Sequence, residues 1–201
     1  LQRLLDRKEG LEKEQGIIEQ MRGSSDQIES VIKTATDFGR PGEPKLERCN
    51  LNELVEETLG LCSTAISKSG VKLVKNLGEG LPGCRLDPIL IKRVLVNLIM
   101  NALEAMEKMD RETKELKITS SAKNEHTLVC VSDKGPGVPP QLRKTIFDPF
   151  FTTKDGSMGI GLAISFRIIQ DHGGLLYVTE SKSGGAEFVI EFPLKGGLGP
   201  A

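Results

Sequence analysis

The chain has 201 residues, of which 38% are hydrophobic, and its formal net charge is −1. This balanced charge predicts neither a nucleic-acid footprint nor a basic membrane-binding surface. No apolar run approaches the ~20 residues that span a bilayer, and no signal peptide opens the chain. The scattered Cys49, Cys62, Cys84 and Cys130 lack metal-like spacing, so we expect reduced, structural thiols in a cytoplasmic protein.

One long helix is predicted over residues 11–39. Its seam alternates spacings of four and three, as in a heptad repeat, and consists of Ile17, Met21, Ser24, Ile28, Val31, Ala35 and Phe38. Residues 1–8 are predicted to end a preceding helix, which makes a helical hairpin. Two hairpins would form a dimeric four-helix bundle. The alternative is a helix that packs on the rest of its own chain.

The helical region is predicted to end at Arg40–Pro44, because proline cannot continue a helix. We therefore predict a helical dimerisation domain at residues 1–43, a second domain at 44–196 and a flexible tail at 197–201. The chain begins with Leu, and we expect it to be a piece of a longer protein.

The second domain contains several recognisable helix and strand signals. Asn50, with Glu53 three positions on, predicts a helix start, and Gly70 predicts its end. Asp87 followed by Pro88 predicts a second helix start. Strands are predicted at Val71–Asn76, Leu116–Ala122, His126–Ser132, Leu175–Glu180 and Ala186–Phe192, and a third helix at about Met158–His172. Gly184–Gly185 predicts a hairpin turn.

These elements predict an α+β fold, a two-layer α/β sandwich in which a mixed sheet carries helices on one face. The helical hairpin would precede it. His172 is followed by two glycines and is interpreted as a structural residue at a helix end.

Polar side chains form a stripe on the helix that Asp87 opens. At 100° per residue, Asn97, Asn101, Glu104 and Lys108 lie beside its apolar face. A neutral carboxamide oxygen suits a magnesium ion whose other ligands are phosphates and water. In isolation these asparagines could equally be ordinary solvent-facing residues.

Asp133 ends a predicted strand and enters Lys134-Gly135-Pro136-Gly137. A carboxylate there can accept a hydrogen bond from the exocyclic amine of adenine, and the glycines let backbone approach a purine closely. The alternative is an ordinary turn aspartate.

Two further motifs follow. The string Phe147-Asp148-Pro149-Phe150-Phe151-Thr152-Thr153-Lys154 offers hydroxyls and a cation for a polyphosphate. Gly156-Ser157-Met158-Gly159-Ile160-Gly161-Leu162 opens a helix whose bare N–H groups can bind an anion. Its glycine spacing differs from the dinucleotide-binding order, which argues against that fold.

The four motifs in this order resemble the N, G1, F and G2 boxes of the catalytic domain of sensor histidine kinases. The resemblance covers roughly residues 46–195. It implies a histidine-kinase or chaperone-type ATPase fold, with ATP and Mg²⁺ as cofactors. Many family members carry glycine where Ser157 stands.

The resemblance also implies roles for individual residues. Asn101 would ligate magnesium, Asn97 would contact nucleotide or phosphoacceptor, and Asp133 would recognise adenine. The remaining implied ATP contacts are Glu104, Lys108, Gly135, Gly137, Val138, Phe147, Thr152, Thr153, Lys154, Ser157, Met158, Gly159, Ile160, Gly161 and Leu162.

The function implied is transfer of the ATP γ-phosphoryl to a histidine on the dimerisation helix, and from there to an aspartate of a response-regulator receiver domain. The only histidines, His126 and His172, lack the acceptor context, so we expect the acceptor to lie upstream of Leu1 and this chain not to phosphorylate itself. The alternatives are an ATPase or protein-serine kinase module of the same superfamily, or a non-catalytic dimerisation scaffold.

Overall fold

The computed structural model describes residues 43–154 and 157–194. The chain divides into two units, Leu1–Gly42 and Glu43–Ala201, and the described residues belong to the second. The predicted helical hairpin and its seam, residues 155 and 156, and the predicted tail lie outside the described residues. The domain limits predicted at 43/44 and 196/197 stay predictions.

The described α-helices and strands are, in chain order, β1 (Glu47–Cys49), α1 (Leu51–Ser69), β2 (Lys72–Leu77), β3 (Cys84–Leu86), α2 (Pro88–Ala105), β4 (Glu115–Lys123), β5 (His126–Asp133), α3 (Gly161–Asp171), β6 (Leu175–Glu180) and β7 (Ala186–Pro193). Five of the strands form one sheet in the order β2-β4-β5-β7-β6. β2 runs parallel to β4, and the other neighbours are antiparallel. The predicted α+β architecture with a mixed sheet is confirmed.

The helices cover one face of this sheet. Along β4 the buried residues Leu116, Ile118 and Ser120 alternate with less buried ones, which is the pattern of a strand with one covered face. The buried residues of α2 are Ile91, Val94, Leu95, Leu98, Ile99, Ala102 and Leu103. Within the described ranges, no helix combines the length and apolar character that crossing a bilayer requires.

Local capping explains where α1 begins and ends. The Asn50 Oδ1 accepts the N–H of Asn52 at 3.0 Å, and the Asn50 carboxamide donates to Glu53 Oε1 at 3.1 Å. Glu53 therefore supports the cap by accepting a hydrogen bond from the Asn50 side chain. In a capping box it would accept the Asn50 backbone N–H instead. Gly70 ends the helix in the left-handed conformation, at φ 67°.

His172 joins the start of α2 to the end of α3. Its Nε2 accepts the N–H of Asp87 at 3.0 Å, so Nδ1 carries the proton and donates to the Ile168 carbonyl at 2.6 Å. The ring is buried. Both ring nitrogens are thus engaged by backbone, and the structural interpretation of His172 is confirmed.

Two features differ from the predictions. α3 begins at Gly161 and not at Met158, because Gly159 has φ 65°, a left-handed conformation that no α-helix contains. The small antiparallel sheet of β1 and β3, in which Cys49 lies opposite Cys84, was not predicted. Strands of three residues are too short to show a periodic pattern.

Candidate functional site

Asp133 lies at the end of β5 with only 3% of its surface exposed. Its Oδ1 accepts two backbone N–H groups, from Gly135 at 2.7 Å and from Ala186 at 3.2 Å. Oδ2 accepts no hydrogen bond from the described residues. Burial raises the pKa of Asp133, while the two N–H donors and the positive charge of Lys154 act in the opposite direction. The carboxylate is therefore held by one oxygen, and the other is available.

Glycines surround this carboxylate at close range. A Cβ at Gly135 would lie 2.8 Å from Asp133 Oδ1 and 3.1 Å from the Cβ of Ala105. A Cβ at Gly137, where φ is 74°, would lie 3.2 Å from the carbonyl oxygen of Gly185. A side chain at position 135 would press on Asp133 and one at position 137 on Gly185, so both positions keep the backbone bare, which suits the close approach of a flat ligand.

α2 brings the predicted polar stripe to the same region. Asn97 donates from Nδ2 to Ser165 Oγ on α3 at 3.0 Å, and its Oδ1 would lie 2.6 Å from a Cβ at Gly161. The Ser165 hydroxyl in turn donates to the Gly161 carbonyl at 3.0 Å. Asn97 thus contacts the first turn of α3, and the structure brings the first and last motifs together.

Asn101 lies one turn further along α2 and is half-buried. Its carboxamide makes no hydrogen bond to another described residue. Among residues 43–154 and 157–194, no group of three or more His, Cys, Asp or Glu side chains could hold a metal ion on its own. A neutral oxygen without a protein partner fits a magnesium ion whose other ligands are phosphate and water.

A cleft of about 470 Å³ opens between the end of α2 and the loop after β5. Its lining residues are Glu104, Ala105, Glu107, Lys108, Met109, Gly135 and Pro136. Two predicted contact residues, Glu104 and Lys108, therefore border the cleft and have exposed side chains. The cleft lies next to Asp133, because Gly135 lines the cleft and also donates its N–H to the Asp133 carboxylate.

The segment Phe147–Lys154 is anchored by two of its aromatic rings. The Phe147 ring lies 5.2 Å from the Phe166 ring of α3, and Phe151 packs against the core. Phe150 is 73% exposed and has a positive φ of 67°. Phe147 therefore packs against α3, and the exposed ring of this segment is Phe150.

The end of this segment reaches across to α2. Thr152 and Thr153 are exposed, and Thr152 Oγ1 accepts the Lys154 N–H at 3.0 Å. Lys154 Nζ donates to Glu104 Oε2 at 2.6 Å. Both charged groups are partly exposed, so this ion pair contributes less than about 1 kcal/mol. Lys154 is thus beside the site and can exchange Glu104 for a ligand anion.

The last motif leads into α3. A Cβ at Gly159 would overlap the carbonyl oxygen of Phe151, so this glycine fits closely against the preceding segment. The Ser157 hydroxyl accepts the Gly159 N–H at 3.4 Å. Ile160 is buried and Leu162 half-buried, while Met158 is 38% exposed. α3 has no side-chain cap, which leaves its first N–H groups for a ligand anion.

Most predicted site residues thus line one region, with two qualifications. Val138 packs partly against the core, and its carbonyl accepts Arg143 Nε at 3.2 Å. The turn residues Gly185 and Ala186 contact Asp133 and were not predicted as part of the site. The Gly184–Gly185 pair indicated only a hairpin turn, and nothing local in the sequence shows what that turn touches.

An open mixed sheet with helices on one face, and glycine-rich loops around a buried aspartate and two asparagines, defines a class of ATP-dependent domains. Residues 86–196, more than half of the chain, match the family described as histidine kinase-, DNA gyrase B-, and HSP90-like ATPase. The chain belongs to this family, and within it to the histidine kinase catalytic domains.

Curated relatives include bacterial sensor kinases. The sensor histidine kinase TmoS of Ectopseudomonas mendocina is 33% identical over 172 residues, which are 85% of this chain and 18% of TmoS. The histidine-protein kinase AtoS of Escherichia coli is 36% identical over 169 residues, 84% of this chain and 27% of AtoS. The chain therefore spans only 18% to 27% of the length of these relatives.

Solved structures show the same fold. The catalytic domain of the histidine kinase ThkA has a TM-score of 0.66 at 35% identity, covering 74% of this chain and 95% of that one. Full-length ShkA in complex with AMPPNP has a TM-score of 0.75 at 28% identity, covering 86% and 37%. ThkA in complex with the response regulator TrrA has a TM-score of 0.70 at 28% identity, covering 85% and 49%.

Proposed function

We propose that this domain binds ATP with Mg²⁺ and, in the whole protein, transfers the γ-phosphoryl to a histidine of a dimerisation helix, from which it passes to an aspartate of a response regulator. The observation that carries the proposal is the Asp133 carboxylate, fixed through Oδ1 with Oδ2 available. Two similar proteins support the proposed ligand and partner, because ShkA is known in complex with AMPPNP and ThkA in complex with the response regulator TrrA.

Asp133 would select the base. Adenine presents an amine at the position where guanine presents a carbonyl oxygen. An ionised carboxylate accepts a hydrogen bond from the amine and repels the carbonyl. Gly135 and Gly137 would let the base approach the backbone. The site would therefore bind adenine in preference to guanine.

Asn101 would contribute one oxygen to magnesium, and the N–H groups at the start of α3, with Lys154, would contact the phosphates. Bound magnesium would neutralise phosphate charge and orient the triphosphate. Phosphoryl transfer needs little covalent chemistry from the protein, so positioning and electrostatic stabilisation account for most of the catalysis. Asn97, held by Ser165, would then face the reacting phosphate or its acceptor.

The acceptor histidine would come from the dimerisation helix and not from the described domain. His172 is buried with both nitrogens engaged, and His126 Nδ1 lies 2.8 Å from the Asn124 carbonyl oxygen. Incubation of this chain with radiolabelled ATP should therefore leave both histidines unlabelled. An acid-labile phosphate on either one would contradict this assignment. A homodimer through the N-terminal helices is part of the proposal.

One alternative function follows from the breadth of the family, which also includes gyrase- and HSP90-like ATPases. Such a module would hydrolyse ATP or phosphorylate a serine, with no histidine acceptor. Phosphotransfer from this domain to a purified helical hairpin with a His-Glu or His-Asp pair separates the two functions. Steady ATP hydrolysis without transfer to histidine would favour the alternative.

Replacing Asn101 with alanine should remove most of the magnesium dependence of ATP binding. We expect Mg²⁺ to strengthen ATP binding to the natural chain, and Asn101→Ala to lose about tenfold in affinity with Mg²⁺ and little in EDTA. Calorimetric titration in both buffers measures this difference. The control is Asn76→Ala, which removes an exposed asparagine of β2. An equal loss in both buffers would contradict the metal role.

A further inference from the structure

The turn between β6 and β7 lies directly against Asp133. Gly185 has φ 79°, and a Cβ there would overlap the Asp133 carbonyl oxygen and lie 2.7 Å from Oδ1. The next residue, Ala186, donates its N–H to the same Oδ1 at 3.2 Å. On its other side, the Gly185 carbonyl oxygen would lie 3.2 Å from a Cβ at Gly137. Gly185 therefore lies between Asp133 and Gly137, at the end of β5 and in the loop that follows it.

The turn has its own internal hydrogen bonds. Ser181 donates its N–H to the Gly185 carbonyl at 3.1 Å, and Gly184 donates to the Ser181 carbonyl at 3.0 Å. The Ser183 N–H donates to Ser181 Oγ at 3.3 Å, and Ser181 is buried. These bonds order the turn that presents the Ala186 N–H to Asp133.

We propose that Gly185 and Ala186 are positioning residues for base recognition, which hold Asp133 through Oδ1 so that Oδ2 reads the exocyclic amine. The proposal rests on the proposed ATP-binding function. Two N–H donors on one oxygen fix the plane of a carboxylate, whereas one donor leaves it free to rotate. Only glycine at position 185 lets the turn come close enough for the second donor, because any Cβ meets Asp133 first.

Gly184 provides a matched control for Gly185. It has φ 82°, and a Cβ there would meet no atom within 4 Å. Alanine at either position therefore carries the strain of a positive φ, but only at position 185 does it also push against Asp133. The difference between the two variants reports the contact with Asp133.

The test compares ATP with purine riboside triphosphate, which lacks the exocyclic amine, by calorimetric titration. We expect the natural chain and Gly184→Ala to prefer ATP by about tenfold or more. Gly185→Ala should reduce this preference to about threefold or less, with a smaller change for the analogue. If Gly185 acts on stability alone, the substitution would lower the affinities for both triphosphates equally and leave their ratio unchanged. That result would overturn the proposal.

Ser181→Ala decides the matter if Gly185→Ala does not fold. It removes the acceptor of the Ser183 N–H and the hydrogen bond between the Ser181 and Ser183 hydroxyls, and it adds no atoms, so it weakens the turn without a steric clash. A reduced ATP preference supports the proposal, and an unchanged one overturns it. If the natural chain binds neither triphosphate, the proposed function itself fails. If it binds ATP selectively and the variants keep that selectivity, only the positioning role fails.

Discussion

Replacing Asp133 with asparagine is expected to weaken ATP binding by about thirtyfold or more and to abolish the preference for adenine. The backbone N–H groups of Gly135 and Ala186 require an acceptor, so the asparagine oxygen takes the place of Oδ1 and its NH₂ that of Oδ2. A donor then faces the adenine amine. Loss of a charge-assisted hydrogen bond together with this mismatch costs about 2–3 kcal/mol.

The same substitution should move the preference toward bases with a carbonyl at that position. Titration with ATP, GTP and ITP measures the change, and Asp110→Asn, at an exposed aspartate, is the control. Equal affinity of the natural chain for ATP and GTP would refute the adenine assignment.

Stability should change in the opposite direction to binding. Burial raises the pKa of Asp133 in the folded state above its unfolded value, so the ionised carboxylate lowers the free energy of unfolding at neutral pH. This cost disappears as the pH falls through the folded pKa. Asp133→Asn should therefore unfold at no lower denaturant concentration than the natural chain at pH 7. Its stability should also lack this contribution to the pH dependence.

Replacing Gly159 with alanine should cost more than about 3 kcal/mol of folding stability and impair ATP binding. The positive φ of 65° accounts for about 1–2 kcal/mol, and overlap of the new Cβ with the Phe151 carbonyl oxygen accounts for the rest. The melting temperature should fall by roughly 6–12 °C. Relief of the overlap with Phe151 would also move the start of α3 away from the Phe147–Lys154 segment, and this movement would weaken the phosphate contacts.

Gly80→Ala is the matched control for this effect. Gly80 has φ 64°, and a Cβ there would meet no atom within 4 Å. It should lose about 1–2 kcal/mol through backbone strain alone and keep its affinity for ATP. Circular dichroism gives both stabilities, and titration well below the melting temperature gives both affinities. Equal losses in the two variants would show that contact with Phe151 does not matter.

Local chemistry explains which parts of the structure could be predicted from the sequence. The caps at Asn50, Gly70 and Asp87 act within a few residues, so their residue types identify the helix ends. The four motifs likewise combine residue types that are specific together. The start of α3 differs from the prediction because Gly159 adopts a left-handed conformation and lies against Phe151, and periodicity reports neither feature.

Contacts between distant segments could not be predicted. The hydrogen bond of Asp133 with Ala186 and the contact of Asn97 with Gly161 depend on how the sheet and helices pack. His172 was predicted to be structural, but its bond to Asp87 joins two helix ends that lie far apart in sequence. The type of a residue does not show which residue it contacts when that partner lies on another helix or strand.

The hydrogen bond between Asp133 and Ala186 joins two residues that are 53 positions apart in sequence, so the chain between them forms a closed loop. Between Asp133 and Gly159 this stretch contributes one buried apolar side chain, that of Ile146, among the described residues. Doubling the length of a flexible loop costs only about 0.6 kcal/mol of closure entropy. Apart from Gly135, Gly137 and the Phe147–Lys154 segment, which contact the rest of the domain, the chain between Asp133 and Gly159 can therefore accept insertions and deletions while the strand pairing of β5 with β7 stays intact.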